Sequence, residues 1–280
     1  MNPKFKTVDD FTKSLQIHAL HVSVIGIGRI GLPTALSFAD SGLHTTGIDI
    51  NTNLVKMINS GEFPLKDEPG YDVIFNKVNN KQFFATTDIK SALEQTDVIL
   101  LSLPTPMDST NVPDYTALKS VAKQLHDLMK EGTLIIVEST VEPTFIETEF
   151  IPIVEGFDKK FVADKNLLIG VCPETANPGE ILKDFKSLPR LVGGIDAKTA
   201  DLITEIYKHV FPVELVKMPD CKTANTVKLT TNVFRYINIA FVNELAILCE
   251  KLGIDIKTVL EAADMKYNFQ IQLFVYLFYI

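Results

Sequence analysis

Apolar and polar positions follow two rhythms along the chain, and they take turns. Short, nearly unbroken apolar runs occur at Val22–Ile25, Asp97–Leu103, Thr133–Glu138 and Leu167–Val171. A run of this kind, too short for a helix and with no polar face, is what a parallel strand buried on both faces requires. Between the runs lie stretches with helical period. In Asp114–Lys130 the apolar positions are Leu118, Val121, Ala122, Leu125, Leu128 and Met129; Ala35–Ala39, Tyr71–Asn79, Ser91–Gln95 and Ala197–Val210 also read as helices, with another near Gly179–Phe185. Further strands are expected at Thr45–Ile50, Phe83–Thr87, Arg190–Gly194 and Val213–Met218. Asn51 can cap a helix reaching Ser60, which Gly61-Glu62-Phe63-Pro64 breaks. Strands alternating with helices predict an α/β fold, a Rossmann-like doubly wound parallel sheet that binds ligands at the C-terminal edge of its strands.

One helix breaks the scale of the rest. Cys221–Leu252 contains neither proline nor glycine and keeps a helical period throughout, giving a helix of about 48 Å at about 1.5 Å per residue. That exceeds what one sheet face needs, so it is expected to leave the first domain and support a second one, the start of a helical dimerisation domain, or a dimer contact. Gly253 stops it, and Asp255 caps a further helix to Ala263. The expected organisation is an N-terminal arm over 1–20, partly helical, a nucleotide-binding domain over 21–218, the long connecting helix and start of a central domain over 219–270, and an apolar tail over 271–280.

Composition narrows the partners. Hydrophobic residues make up 46% of 280, enough for a large core, and the net charge is −8 with no basic block, which argues against nucleic acid. Cys172, Cys221 and Cys249 share no metal-ligand or CxxC spacing, so neither a metal site nor a disulfide framework is expected, and a reducing cytoplasm fits. The N-terminus lacks the apolar core of a signal peptide, and no segment reaches the roughly 20 apolar residues of a membrane span.

The chemistry starts at Val22–Gly31, VSVIGIGRIG, where a strand runs into Gly26, Gly28 and Gly31. The first glycine allows a tight turn, the second a close approach of backbone to a pyrophosphate, and the third close packing of helix on strand. Pro33 falls in the first helical turn, where a missing N–H costs little. The second strand ends in Asp49, whose carboxylate can accept both ribose hydroxyls and repels a 2′-phosphate, favouring NAD over NADP. Two other strand ends, Pro104-Thr105-Pro106 and Ser139-Thr140-Val141, fall where ligands are expected.

These residues resemble the UDP-glucose/GDP-mannose dehydrogenase family. The likeness is carried in order by VSVIGIGRIGLPTALSFADSG with GIDIN, LLSLPTPMDSTNVPDYTAL, IIVESTVEPT, IGVCPETANPGE and the long helix TANTVKLTTNVFRYINIAFVNELAILCEKLGID, from Val22 to Gln270. It implies oxidation of a nucleotide sugar's primary alcohol to a carboxylate with two NAD, through a cysteine-bound thiohemiacetal. It assigns Gly26, Gly28, Arg29, Ile30, Gly31, Asp49, Pro104, Thr105 and Thr140 to the cofactor, and Thr140, Glu174, Lys228 and Asn232 to catalysis. Glu174 would act in proton transfer with a threonine and ordered water, while Lys228 and Asn232 would stabilise oxyanions. The last pair is intelligible without the family, since a spacing of four puts ammonium and amide on one helix face. Each has a plainer reading: Lys228 as a solvated lysine, Glu174 as a cap of the helix near Gly179–Phe185, Ser139-Thr140 as a strand end, and the three cysteines as structural. Asn243-Glu244 reads as interface or capping.

Three departures stand out. Pro143-Thr144 replaces a usual proline-glycine, Thr175 replaces a basic residue, and the match ends before a GxGGxC loop and a nucleotide-binding second domain. The run IQLFVYLFYI follows instead, suggesting truncation through a frameshift after Ile271 and impaired oxidation. KYNFQ and CPETANPGE resemble members acting on UDP-N-acetylhexosamines, UDP-N-acetylmannosamine ahead of UDP-glucose. A 3-hydroxyacid or 6-phosphogluconate type dehydrogenase and a non-catalytic NAD-binding dimerisation module remain as alternatives; a homodimer is expected.

Overall fold

The computed structural model describes residues 7–163 and 165–266; the tail 271–280 and the KYNFQ run beyond Lys266 lie outside them. The chain opens with helix α1 (Val8–Gln16), capped by the Thr7 hydroxyl. There follow β1 (His21–Ile25), α2 (Gly31–Asp40), β2 (His44–Ile48), α3 (Thr52–Asn59), α4 (Tyr71–Val78), β3 (Phe83–Thr86), α5 (Ile89–Leu93) and β4 (Val98–Leu101). Next come α6 (Thr116–Leu128), β5 (Leu134–Val137), a π-helical turn Ile146–Phe150 running into α7 (Ile151–Glu155), and β6 (Leu168–Val171). The rest is α8 (Ile181–Asp184), β7 (Arg190–Gly194), α9 (Ala197–Val210), β8 (Leu215–Lys217), α10 (Cys221–Leu252) and α11 (Ile256–Asp264). The chain divides into two units, one ending at Thr226 and one beginning at Val227.

In the first unit the described residues form one eight-stranded sheet of order β3-β2-β1-β4-β5-β6-β7-β8. The strand order reverses between β1 and β4, which are parallel and in register from Val22↔Val98 to Ile25↔Leu101. A crevice at the C-terminal ends of these two strands is where such a sheet receives a ligand. The sheet is parallel as expected except at one pairing among the described strands: β7 runs antiparallel to β6, with Gly170 opposite Gly194 and Val171 opposite Gly193. Only the four-residue α8 lies between those strands. The chain re-enters the sheet from the edge it left instead of crossing a face. At this pairing a Cβ on Gly193 would stand 2.6 Å from the Asp220 carbonyl oxygen, so the start of α10 is pressed onto the sheet backbone.

Two apolar layers cover the sheet. One contains Phe38, Phe75, Ile203, Tyr207 and Phe211, the other Leu118, Leu125, Phe145, Phe150 and Ile169. The segment read as an arm joins the first layer: Phe11 and Leu15 of α1 are buried there and α1 packs on α9. Burial of two such side chains contributes about 1.5–3 kcal/mol each, enough to hold a nine-residue helix that would not persist alone.

In the second unit, Asp255 caps α11 through bonds from the Lys257 and Thr258 amides, and Gly253 takes a φ of 67° where α10 ends. Phe234, Ile237, Phe241, Leu248 and Leu252 of α10 are exposed at helical spacing.

Candidate functional site

The site is built from the ends of five strands, β1, β2, β4, β5 and β6. After β1 the chain turns at Gly26, whose φ of 88° suits glycine, and its amide donates to the Ile48 carbonyl at 2.8 Å. A Cβ there would meet the Ser102 carbonyl oxygen at 2.6 Å, and one on Gly31 would lie 1.9 Å from the Gly26 oxygen. Gly28 differs: a Cβ would meet nothing within 4 Å. Two glycines therefore let β1, α2 and the end of β4 close up, and the third leaves bare backbone facing open space. No side chain caps the first turn of α2 and no acidic residue lies in it; the Leu32 and Thr34 amides donate to the Gly28 and Ile30 carbonyls, and the positive end of the helix is left without a side-chain partner. A pyrophosphate fits such a cradle.

Asp49 follows β2. Its Oδ2 accepts from the Ile27 amide at 3.1 Å and its Oδ1 from the Asn51 amide at 2.9 Å. The carboxylate is fixed beside the glycine turn and keeps further lone pairs for hydroxyl donors. Asn51 caps α3 as expected.

The loops after β4 and β5 are stapled together. Ser139 Oγ accepts from the Leu103 amide at 2.9 Å and donates to the Leu103 carbonyl at 2.8 Å, while the Thr105 hydroxyl donates to the Thr140 carbonyl at 2.9 Å. Pro104 is exposed, and Thr105 and Thr140 are half-buried. At the Pro143-Thr144 departure, Thr144 is not among the positive-φ residues, and its amide and hydroxyl both donate to Glu142. The backbone here has no need of glycine.

Glu174, after β6, points inward. Its Oε1 accepts from the Thr175 and Ala176 amides at 2.6 and 2.7 Å, and its Oε2 from Arg190 Nη1 at 2.6 Å. The pair is nearly dry, with side chains 9% and 3% exposed. Arg190 also lies 4.0 Å from the Phe211 ring centre and 4.4 Å from that of Phe185. Glu174 does not cap α8; the buried Glu68 does that work, accepting from the Gly179 amide at 2.6 Å and from Ile181 at 3.4 Å. Arg29, in the glycine turn, pairs with Asp67 and stands 3.4 Å from Glu68 Oε1.

Glu138, the last residue of an apolar run, sits beneath these loops. It accepts from Ser102 Oγ at 2.5 Å and from the Tyr207 hydroxyl at 2.6 Å. Burial pushes its carboxyl above the usual range, and the nearby Glu174 charge adds to this. The Glu174 amide donates to the Glu138 carbonyl at 3.3 Å. Glu138 and Arg190 thus join the glycine turn to the Pro-Glu segment, and neither is singled out by the sequence. The signals were one carboxylate ending an apolar strand and one arginine opening another. Burial pushes the Cys172 thiol up to about 12, and likewise Cys221; both are inert structural thiols, and Cys249 is buried as well.

The first unit therefore brings together Gly26–Gly31, Asp49, Thr105, Thr140 and Glu174. Lys228 and Asn232 belong to the second unit, one helical turn apart on α10, with Lys228 buried and its carbonyl accepting from the Thr231 hydroxyl at 2.8 Å. Among the described residues no group of His, Cys, Asp and Glu could hold a metal ion, and no helix is long and apolar enough to cross a membrane.

Residues 20–211 match the NAD binding domain of the UDP-glucose/GDP-mannose dehydrogenase family, and residues 222–275 its central domain. A UDP-N-acetyl-D-mannosamine dehydrogenase of Campylobacter jejuni is 34% identical over 249 residues, covering 87% of this chain and 60% of that protein. One from Escherichia coli K12 is 33% identical over 248 residues, covering 87% and 58%. The structure of the UDP-D-ManNAc dehydrogenase of Pyrococcus horikoshii superposes with a TM-score of 0.84 at 30% identity, covering 90% of this chain and 59% of that one. The chain spans less than two thirds of the length of these relatives. With NAD as the cofactor of its larger domain, the chain belongs to the UDP-glucose/GDP-mannose dehydrogenase family.

Proposed function

We propose that the chain carries the cofactor half of an NAD-dependent oxidation that converts the primary alcohol of a UDP-sugar, UDP-N-acetylmannosamine or a close analogue, to a uronate. The observation that carries this reading is the contact of the glycine turn with Ser102, which sets a dinucleotide cradle against the stapled loops bearing Thr105 and Thr140. Bound NAD supplies the hydride acceptor. Gly28 and the start of α2 would hold its pyrophosphate, with Ile30 at the cap position of that helix, and Asp49 its adenosine ribose. Arg29, Pro104, Thr105 and Thr140 would border the cofactor.

Thr140 and Glu174 are the residues of this unit assigned to the reacting end, where Arg190 keeps the Glu174 carboxylate in one orientation. Lys228 and Asn232 would donate to the oxyanion that develops as the alcohol is oxidised. The exposed apolar stripe Phe234, Ile237, Phe241, Leu248 and Leu252 on α10 supports a homodimer, and three free cysteines support a reducing, cytoplasmic setting. None of those thiols is accessible, so nucleophilic capture of an aldehyde is assigned to none of them.

Calorimetric titration of the 280-residue polypeptide with NAD and NADP tests the cofactor assignment. NAD is expected to bind, with NADP at least about tenfold weaker because its 2′-phosphate meets Asp49; equal affinity would overturn it. Turnover is then followed on UDP-N-acetylmannosamine, UDP-glucose and 3-hydroxyacids. This polypeptide is expected to release two NADH from none of them at an ordinary enzymatic rate. Steady oxidation of a 3-hydroxyacid would instead support the hydroxyacid-dehydrogenase reading, and two NADH per sugar would show that a buried thiol becomes available.

A further inference from the structure

The acidic pair Asp67-Glu68 lies on the connection between α3 and α4 and has no part in the reading above. Its two members are placed very differently. The Glu68 side chain is 0% exposed and is fixed by the Gly179 and Ile181 amides, which anchors the loop to the Pro-Glu segment. Asp67, its neighbour, is 59% exposed, and its carboxylate is taken by Arg29, itself 46% exposed. The Arg29 guanidinium also bonds strongly enough to lower the Asp67 carboxyl below its ordinary range.

Arg29 is the sole cation of the turn GIGRIG. It follows directly on Gly28, the glycine with open space in front of it. A guanidinium on that residue has the reach and the forked donor geometry to take a phosphate oxygen pair, which a carboxylate partner occupies in competition. The buried anchor of Glu68 keeps Asp67 within reach of Arg29, so the competitor is held at high effective concentration. An exposed ion pair of this kind gives way at little expense.

We propose that Asp67 is an intramolecular competitor for the pyrophosphate-binding arginine: Arg29 leaves Asp67 when a dinucleotide binds, and Asp67 sets how tightly it is held. The proposal rests on the NAD reading above and adds a residue that weakens binding.

The probe is NAD, with adenosine as the phosphate-free control, titrated calorimetrically into the full 280-residue chain. Asp67→Asn is expected to tighten NAD binding about two- to fivefold, the range an exposed pair can supply, and to leave adenosine binding unchanged. Arg29→Met is expected to weaken NAD about tenfold, with Arg29→Lys intermediate. In the Arg29→Met background, Asp67→Asn should have no further effect. Asp67 is exposed, so Asp67→Asn should leave the thermal melt unaltered, whereas Arg29→Met also removes the cation 3.4 Å from the buried Glu68 and is expected to lower it. If the wild-type chain binds NAD but Asp67→Asn leaves its affinity unchanged or weaker, or tightens adenosine equally, the competition is refuted. Failure of the wild-type chain to bind NAD at all would instead overturn the cofactor reading.

Discussion

The turn after β1 and the segment after β6 both emerge at the C-terminal edge of the sheet, and they are held there by opposite means. The glycine turn is backbone against backbone: Gly26 and Gly31 have no side chains because Ser102 and the turn itself occupy the space. The Pro-Glu segment is held by charge. Glu174 is clamped by Arg190, Glu68 accepts the Gly179 amide, and Asp184 accepts the Asn177 amide at 2.8 Å. The glycine turn is thereby left open in front of Gly28. A segment that must keep one side chain in one orientation is surrounded by ion pairs and carboxylate bonds instead.

The largest effect is expected where the second arrangement is broken. Arg190→Met leaves the Glu174 carboxylate buried without its cation, which costs about 3–5 kcal/mol. In a domain of this size that lowers the melting temperature by roughly 10 °C. Adding Glu174→Leu should restore part of the loss, because an apolar pair leaves no buried charge behind. Thermal melts of both single variants and the double variant measure the coupling, and additive losses would show that the pair does not hold the segment.

The glycine turn can be dissected more finely. Gly31→Ala places a methyl 1.9 Å from the Gly26 oxygen, and the overpacking is expected to cost about 3 kcal/mol. Gly28→Ala meets nothing in the protein, so its melt should be unchanged. Its NAD affinity should nevertheless fall on the order of tenfold, about 1.4 kcal/mol, if the methyl fills the space proposed for the pyrophosphate. Loss of stability without loss of affinity at Gly28 would reverse the roles of the two glycines.

The same contrast decides what the sequence could reveal. The glycine turn, the Asn51 and Asp255 caps, and the bounds of Arg190–Gly194, Ala197–Val210 and Cys221–Leu252 follow from neighbouring residues, and the structure has them there. What escaped depends on residues far apart in the chain. The direction of β7 is set by how little helix lies between it and β6. Helix α1 is mostly polar and owes its place to Phe11 and Leu15. The π-helical turn at Ile146–Phe150 has no periodic signature. Glu174 was legible as a motif residue, but its partner stands sixteen residues on, on the one strand that reverses, and Glu138 looked like the end of a strand until Ser102 and Tyr207 closed around it.

The subtlest consequence concerns Glu138, where the two arrangements meet. The Ser102 hydroxyl that bonds it belongs to the residue packed on the glycine turn, the Glu174 and Arg190 charges both act on it, and Tyr207 and Cys172 belong to the same buried cluster. Its folded carboxyl is raised above the ordinary value of 4.5. The folded chain therefore holds this proton more tightly than the unfolded chain does. Its contribution to stability is fully present below pH 4.5 and is lost as pH rises through the raised folded value. Glutamine keeps an acceptor for Tyr207 and a donor for Ser102 without titrating. Glu138→Gln should therefore match the wild type near pH 4.5 and melt at a higher temperature than the wild type at pH 8, with the gap widening across that window. Melting curves of the two proteins over this pH range measure it. A gap that stays constant would mean that Glu138 contributes only shape, and one that opens towards acid would mean that its carboxylate is stabilised by Arg190 more than burial penalises it.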